Sequence, residues 1–243
     1  MTPIRAVVFD IGDTLWALAP LPADLEQRMA AALVLESNLA APDAAAVVSS
    51  ALRAAREIAA NGHHREPDLA AEVSRAAAAA GHAISSRAAA ATAHALGEAD
   101  IERLIPNPRA ADVLGRLAAA GVRLGVLSNT WTAASVLAAF VEREGAMVHL
   151  QAATFSSAEG LRKPSPALYA LALSRLGATP GETLFVGDRV LEDVVGPQRA
   201  GMRAALTHEH RQEQPGDAQP LATLYRLDEV LALVARLNSS IGG

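Results

Sequence analysis

The sequence predicts an α/β fold, a parallel sheet covered by helices on both faces with a separate helical unit inserted near its start. Three observations carry that expectation. Short apolar runs at 4–10, 123–129, 152–157, 183–188 and 204–207 end in turn or polar residues, the mark of buried strands. Helical patterns at 109–120, 132–144, 166–176 and 192–200 fall between the later runs, and strands that alternate with helices favour a parallel sheet. Residues 17–104 break that rhythm, being nearly all helix-forming and far longer than the roughly dozen residues a crossover needs.

Each element has its own local reason. The first run, 4–10, is Ile-Arg-Ala-Val-Val-Phe-Asp, apolar from Ala6 until it meets a carboxylate. Four helices are expected at 23–38, 42–60, 67–80 and 85–104, separated by Ala40-Ala41-Pro42-Asp43, by Asn61-Gly62-His63-His64 and by Gly81-His82. That much helix reads as a small bundle above the sheet. Gly121, Gly177 and Gly201 fall where helices stop before the next strand, glycine's usual place just past a helix end. An amphipathic segment at 227–237 packs back onto the sheet, and the closing residues 239–243, Ser-Ser-Ile-Gly-Gly, have the composition of a frayed end.

Composition narrows the function classes. The 243 residues suffice for one large domain or a core with a smaller insert. Hydrophobic residues make up 51% but aromatics only 3%, so Ala, Leu and Val must fill the core. A net charge of −5 with scattered Arg argues against a nucleic-acid footprint. Without cysteine there is neither disulfide nor thiolate chemistry. No apolar run approaches the roughly 18 residues of a membrane span, and no basic segment with an apolar region opens the chain. The expectation is a soluble cytoplasmic protein with neither nucleic acid nor membrane as partner. Its oligomeric state, monomer or homodimer, is not read from sequence.

Four segments at strand ends carry the chemistry. Singly, each has a bland reading. Asp10 after Val-Val-Phe is a cap, Ser128-Asn129-Thr130 is loop polarity, Arg162-Lys163-Pro164 is a solvated pair before a helix starting at Pro166, and Asp188 with Asp193 is a turn plus a dipole-favoured carboxylate. Together they describe a phosphate site: acids for a hard cation, a hydroxyl with a backbone N–H, and a lysine.

This set, in this order, resembles the haloacid dehalogenase superfamily of hydrolases, through Asp10 in FDIGDTL, Ser128 in VLSNT, Lys163 in FSSAEGLRKPSP, and Asp188 with Asp193 in FVGDRVLEDVVGPQRAGM. The resemblance implies a Rossmann-like three-layer core at 1–16 and 105–243, with an inserted α-helical cap domain of the C1 type at 17–104. It implies Mg²⁺-dependent hydrolysis of a small phosphorylated metabolite through an aspartyl-phosphate on Asp10. Asp10, the Gly12 carbonyl and Asp188 would ligate Mg²⁺, while Ser128, the Asn129 N–H and Lys163 would bind phosphate. Asp193 would orient Lys163 or a metal-bound water.

The pattern breaks at Gly12. The family's phosphatases carry there the aspartate that protonates the leaving group and activates water. Glycine does neither, although its carbonyl can still ligate metal. General acid–base catalysis is worth roughly 10²–10⁴-fold, so hydrolysis is expected to be slow without a substitute. Asp13 is adjacent but one residue off, which favours a turn-capping role. His63, His64 and His82 lie in inter-helix loops, where a solvated histidine is the ordinary reading. The two tryptophans, Trp16 and Trp131, each follow a motif directly, so they are candidates for an aromatic wall lining the substrate or for packing at the core–cap junction. Two alternatives stand beside the phosphatase: an impaired relative that binds a phosphorylated ligand or a protein, and a metal-independent C–halogen hydrolase.

Overall fold

The computed structural model of the chain describes residues 2–239. It opens with β1 (Ala6–Phe9), buried along its whole length, and reaches a two-residue strand, β2 (Ala17–Leu18). Four helices follow, α1 (Leu25–Leu35), α2 (Ala41–Ala60), α3 (Leu69–Ala79) and α4 (Ser86–Glu102). Then β3 (Leu104–Ile105) pairs antiparallel with β2, so the helical unit leaves and rejoins the sheet through one short ribbon. Helix and strand alternate from there: α5 (Ala110–Ala119), β4 (Arg123–Ser128), α6 (Ala134–Arg143) and β5 (Ala152–Phe155). The chain continues through α7 (Ser156–Glu159), α8 (Pro166–Leu176), β6 (Thr183–Gly187), a π-helical turn at Val190–Val195, and α9 (Gly196–Arg199). It ends with β7 (Arg203–Thr207), β8 (Ala222–Leu224) and α10 (Glu229–Ser239).

The six-stranded sheet is parallel throughout, in the order β5-β4-β1-β6-β7-β8. Strand β1 is therefore central, with the chain running outward on either side of it. Alternation along β1 feeds two cores. Val7 and Phe9 join a cluster with Val113 and Leu117 of α5, Phe140 of α6 and Leu233 of α10. Ala6 and Val8 face the opposite way, against Leu168, Tyr169 and Ala172 of α8. This is the three-layer, Rossmann-like arrangement the strand–helix rhythm predicts.

Helices α1–α4 have a core of their own, in which Met29, Leu33, Val47, Leu52 and Val73 pack with a series of buried alanines. Alanine at these seams lets helix axes approach while keeping the best helix propensity. Asp68 caps α3 by accepting from Ala71 N at 3.0 Å, and Ser85 caps α4 by accepting from Ala88 N at 3.1 Å. No helix among the described residues is long and apolar enough to cross a membrane.

Differences from the sequence reading fall on short or irregular pieces. Strands β2 and β3 are two residues each, below any periodicity, and β8 follows a Pro- and Gly-containing stretch that masks it. Ser156 and Ser157, read as strand, begin α7, and the segment read as one helix at 192–200 is a π-helical turn followed by α9. Gly121, Gly177 and Gly201 do end helices, with φ of +79°, +62° and +83°. Of the end expected to fray, Ser239 closes α10 and residues 240–243 lie outside the described residues.

Candidate active site

Parallel register brings the motif residues to one edge. Phe9 pairs with Val126 on β4 and with Val186 on β6, and Asp10 N donates to Val186 O at 2.9 Å. The Asp10 carboxylate thus leaves the sheet at its carboxyl edge, between the strands where chain order reverses, which is where open α/β sheets bind ligands. The loop beyond turns on Asp13, at φ +54°, whose Oδ1 accepts from Leu18 N at 2.9 Å. Asp13 fastens its own turn while lining the site cavity.

Lys163 is the hub. Its Nζ donates to Asp10 Oδ1 and to Asp193 Oδ1, both at 2.7 Å, and its side chain is 2% exposed. Two interactions aim it. Asn129 Oδ1 accepts from Lys163 N at 2.7 Å, and Asn129 Nδ2 donates to Lys163 O at 3.1 Å, so the loop after β4 grips the lysine backbone. Asp193 reaches back under β6 because Gly187 has no side chain; a Cβ there would overlap the Asp193 carboxylate. The π-helical turn supplies the extra residue that returns Asp193 to this point, and its Oδ2 accepts from Arg189 N at 3.0 Å.

One oxygen from each of Asp10, Asp188 and Asp193 lies within 4.8 Å of the others, a buried group able to hold a metal ion. Crowding of carboxylates sets the electrostatics. Burial pushes Asp193 above the ordinary range, with Asp10 and Asp188 reinforcing the rise and Lys163 opposing it. Asp188 is pushed up to about 6, chiefly by burial and then by Asp10, against Arg211, Lys163 and Arg189. Burial alone would depress Lys163, but the two carboxylates beside it hold its ammonium well above the usual lysine range. Asp188 Oδ2 accepts from Arg211 Nη1 at 3.0 Å, whereas its Oδ1 is buried without a hydrogen-bond partner. An orphaned buried carboxylate oxygen is costly, and a hard cation is the partner that chemistry offers it.

The carboxylates open into a cavity of about 360 Å³ between the sheet edge and helices α1, α2 and α4, with Ser128, Asn129 and Lys163 in its wall. At Gly12 the wall is apolar. A Cβ built there would lie 2.6 Å from Leu18 Cδ1, so a methyl group occupies the space an acidic side chain would need. Trp131 lines the cavity and packs on the core of the helical unit. Trp16 does not line it, which corrects the expectation of a paired aromatic wall. It is 1% exposed and stacks edge-on against Phe140 at 5.2 Å, because the turn held by Asp13 points it into the sheet core. None of His63, His64 and His82 lines the cavity.

Three participants were not read from sequence. Arg211, in the loop after β7, engages Asp188 and Glu213. Ser156 Oγ accepts from Thr130 N at 2.8 Å, pinning the loop that carries Ser128 and Asn129. Glu66 lines the cavity from the loop between α2 and α3, with Oε1 3.3 Å from Arg162 Nη1 and its buried carboxylate facing Ser156 and Trp131. Its backbone joins the core directly: Glu66 N donates to Gly160 O at 3.0 Å, and Arg162 N donates to His64 O at 2.9 Å. A lone Glu in an Arg-Glu-Pro loop gave no sign of this, since the pairing spans 96 residues.

The family model for haloacid dehalogenase-like hydrolases matches residues 4–201. The chain belongs to this family. Among curated relatives, the glyceraldehyde 3-phosphate phosphatase of Methanopyrus kandleri is 28% identical over 82% of each chain. The phospholysine phosphohistidine inorganic pyrophosphate phosphatase of Xenopus laevis is 34% identical over 32% of this chain and 28% of its own. This chain spans only 28%, 57% and 50% of three of the curated relatives it matches. Among solved structures, the 2-haloacid dehalogenase from Pseudomonas syringae pv. Tomato DC3000 superposes with a TM-score of 0.68 at 25% identity, covering 96% of this chain and 99% of that one.

The Glu66 site yields a pH prediction. Burial, opposed mainly by Arg162, raises its carboxyl above the ordinary 4.5. The folded chain therefore holds this proton more tightly than the unfolded chain. Stability from this group is full below pH 4.5 and is lost as pH rises through the raised value. In Glu66→Gln, the decline of Tm between pH 4.5 and pH 7 should be shallower than in the parent chain; parallel profiles would contradict it.

Proposed function

We propose that the chain is a phosphohydrolase acting on a small phosphorylated metabolite in the cytoplasm, with Asp10 as nucleophile, Mg²⁺ as cofactor and residues 17–104 as a cap over a core at 1–16 and 105–243. The observation that carries this reading is the lysine shared by Asp10 and Asp193 beside an Asp188 oxygen with no partner. The phosphatases among its relatives support the reaction class.

The chemistry follows from the residues. An Asp10 oxygen attacks phosphorus in line, the bond to the leaving-group oxygen breaks, and that oxygen departs with the electron pair and takes up a proton from solvent. Water then attacks the phosphorus of the aspartyl-phosphate, gives up a proton to solvent, and returns the Asp10 carboxylate with release of phosphate. Lys163 offsets the charge of Asp10 and of the phosphoryl oxygens, and Asp193 keeps its ammonium aimed. The Ser128 hydroxyl and the Asn129 N–H donate to phosphoryl oxygens, preorganised by the Asn129 grip on Lys163. Asp10, Asp188 and the Gly12 carbonyl would hold Mg²⁺, which when bound supplies Lewis-acid polarisation of a phosphoryl oxygen.

The decisive assay measures phosphate release from an aryl phosphate and a metabolite panel, with Mg²⁺ and with chelator. Release that needs Mg²⁺ and disappears in Asp10→Asn is the expected result. Release that survives Asp10→Asn would overturn the assignment. A second reading, a C–halogen hydrolase with the same nucleophile, is favoured by the apolar contact of Leu18 on Gly12 and by the dehalogenase at 25% identity. Halide release from 2-haloacids without metal would select it.

Gly12 adds a quantitative expectation. Gly12→Asp alone must displace Leu18, so the Gly12→Asp/Leu18→Ala double variant should gain more in kcat, toward the roughly 10²–10⁴-fold that acid–base catalysis contributes. No gain in the double variant would mean that another group already moves the proton.

A further inference from the structure

We propose that Glu66 is a positioning residue, a carboxylate from the helical unit that acts through Arg162 to hold Lys163 at the phosphate site; this rests on the phosphohydrolase reading above. Among the described residues, Asp10, Asp188 and Glu66 are the buried carboxylates lining the cavity. Only Glu66 comes from helices α1–α4 and their loops, and the mechanism above gives it no part.

The backbone delivers it. Arg65 and Leu161 form an antiparallel bridge, flanked by the contacts of Glu66 N with Gly160 O and of Arg162 N with His64 O. That register sets the Glu66 carboxylate 3.3 Å from the Arg162 guanidinium, one residue before Lys163. The same carboxylate faces Ser156 and Trp131. Ser156 Oγ in turn accepts from Thr130 N at 2.8 Å and donates to Thr130 O at 3.2 Å, next to the Asn129 that grips the lysine backbone. One group of the helical unit therefore meets both loops that carry the phosphate-binding residues.

Charge explains why a carboxylate serves here. The Arg162 side chain is 20% exposed, and Arg162 lines the same cavity as Lys163. Held by Glu66, it stays out of the phosphate site, because an ionised partner orients a guanidinium more firmly than a neutral one. Without that charge, Arg162 is drawn toward the phosphate, and the backbone of Lys163 moves with it. A displacement of about 1 Å at reacting groups costs roughly 10²-fold in rate.

Kinetics of Glu66→Gln, Arg162→Met and the double variant on the aryl phosphate test this role. Glu66→Gln should lower kcat by about tenfold or more while Tm at pH 7 is kept, a split that a purely structural residue would not give. In the Arg162→Met background the same substitution should lower kcat by less than about threefold, because the two residues act as one unit. Tryptophan emission supplies a second readout. Trp16, buried in the sheet core, contributes equally to each protein, so a change reports Trp131. Emission should change in Glu66→Gln and not in Glu72→Gln, a buried carboxylate of the same unit that pairs with Arg75 and does not line the cavity. An unchanged kcat in Glu66→Gln, equal losses in both backgrounds, a fall in Tm that accounts for the lost activity, or unchanged emission would each overturn this inference. With turnover still lost in Asp10→Asn, the phosphohydrolase would stand. Absence of Asp10-dependent turnover on every phosphate would overturn both.

Discussion

Everything at this site depends on one buried ammonium. Three carboxylates converge at the carboxyl edge of the sheet, and taking them out of water together is expensive unless a positive charge joins them. Lys163 supplies that charge from a loop that is itself gripped by Asn129. Its two 2.7 Å contacts tie β1 to the π-helical turn after β6, so the nucleophile and the second acidic motif are positioned by one side chain. Arg211 provides a second counter-charge, at Asp188. The residual negative charge and the unpartnered Asp188 oxygen are what make a divalent cation a natural addition.

The sheet explains why those residues meet. Central β1 with β4 and β6 as parallel neighbours places Asp10, Ser128 and Asp188 along one edge regardless of their separation in sequence. Glycine at 187 then removes the side chain that would hold Asp193 away from Lys163. The short β2–β3 ribbon sets helices α1–α4 above that edge, and the 64–66 segment touches the chain just before Lys163. The helical unit therefore contacts the core beside the lysine as well as at its two covalent connections.

Much of this was legible in sequence, for identifiable reasons. Asp10, Ser128 and Asp188 sit at or just past the ends of strongly apolar runs, while Lys163 and Asp193 lie in the loop and turn beyond two of those strands and were marked by the motifs that carry the family resemblance. Asp13 as a turn residue was also readable, since an acid beside glycine is turn chemistry, and the structure has it fastening Leu18. Trp16 stayed open between wall and packing because a residue so close to a turn can face either way, and only the turn held by Asp13 decides for packing. Glu66, Ser156 and Arg211 were invisible because each acts through a partner distant in sequence, with no periodicity to mark it. Leu18 was equally hidden: its importance lies in the space beside Gly12, which sequence does not display.

Lys163 is also where the account is most exposed. A double-mutant cycle between Lys163→Met and Asp193→Asn, followed by chemical denaturation, measures the interaction itself. Lys163→Met alone should destabilise by about 3–5 kcal/mol, because it strands buried carboxylates without a counter-charge. In the Asp193→Asn background the same substitution should cost less, with a coupling of about 0.5–3 kcal/mol. An identical cost in both backgrounds would contradict the claim that this lysine holds the carboxylate cluster together.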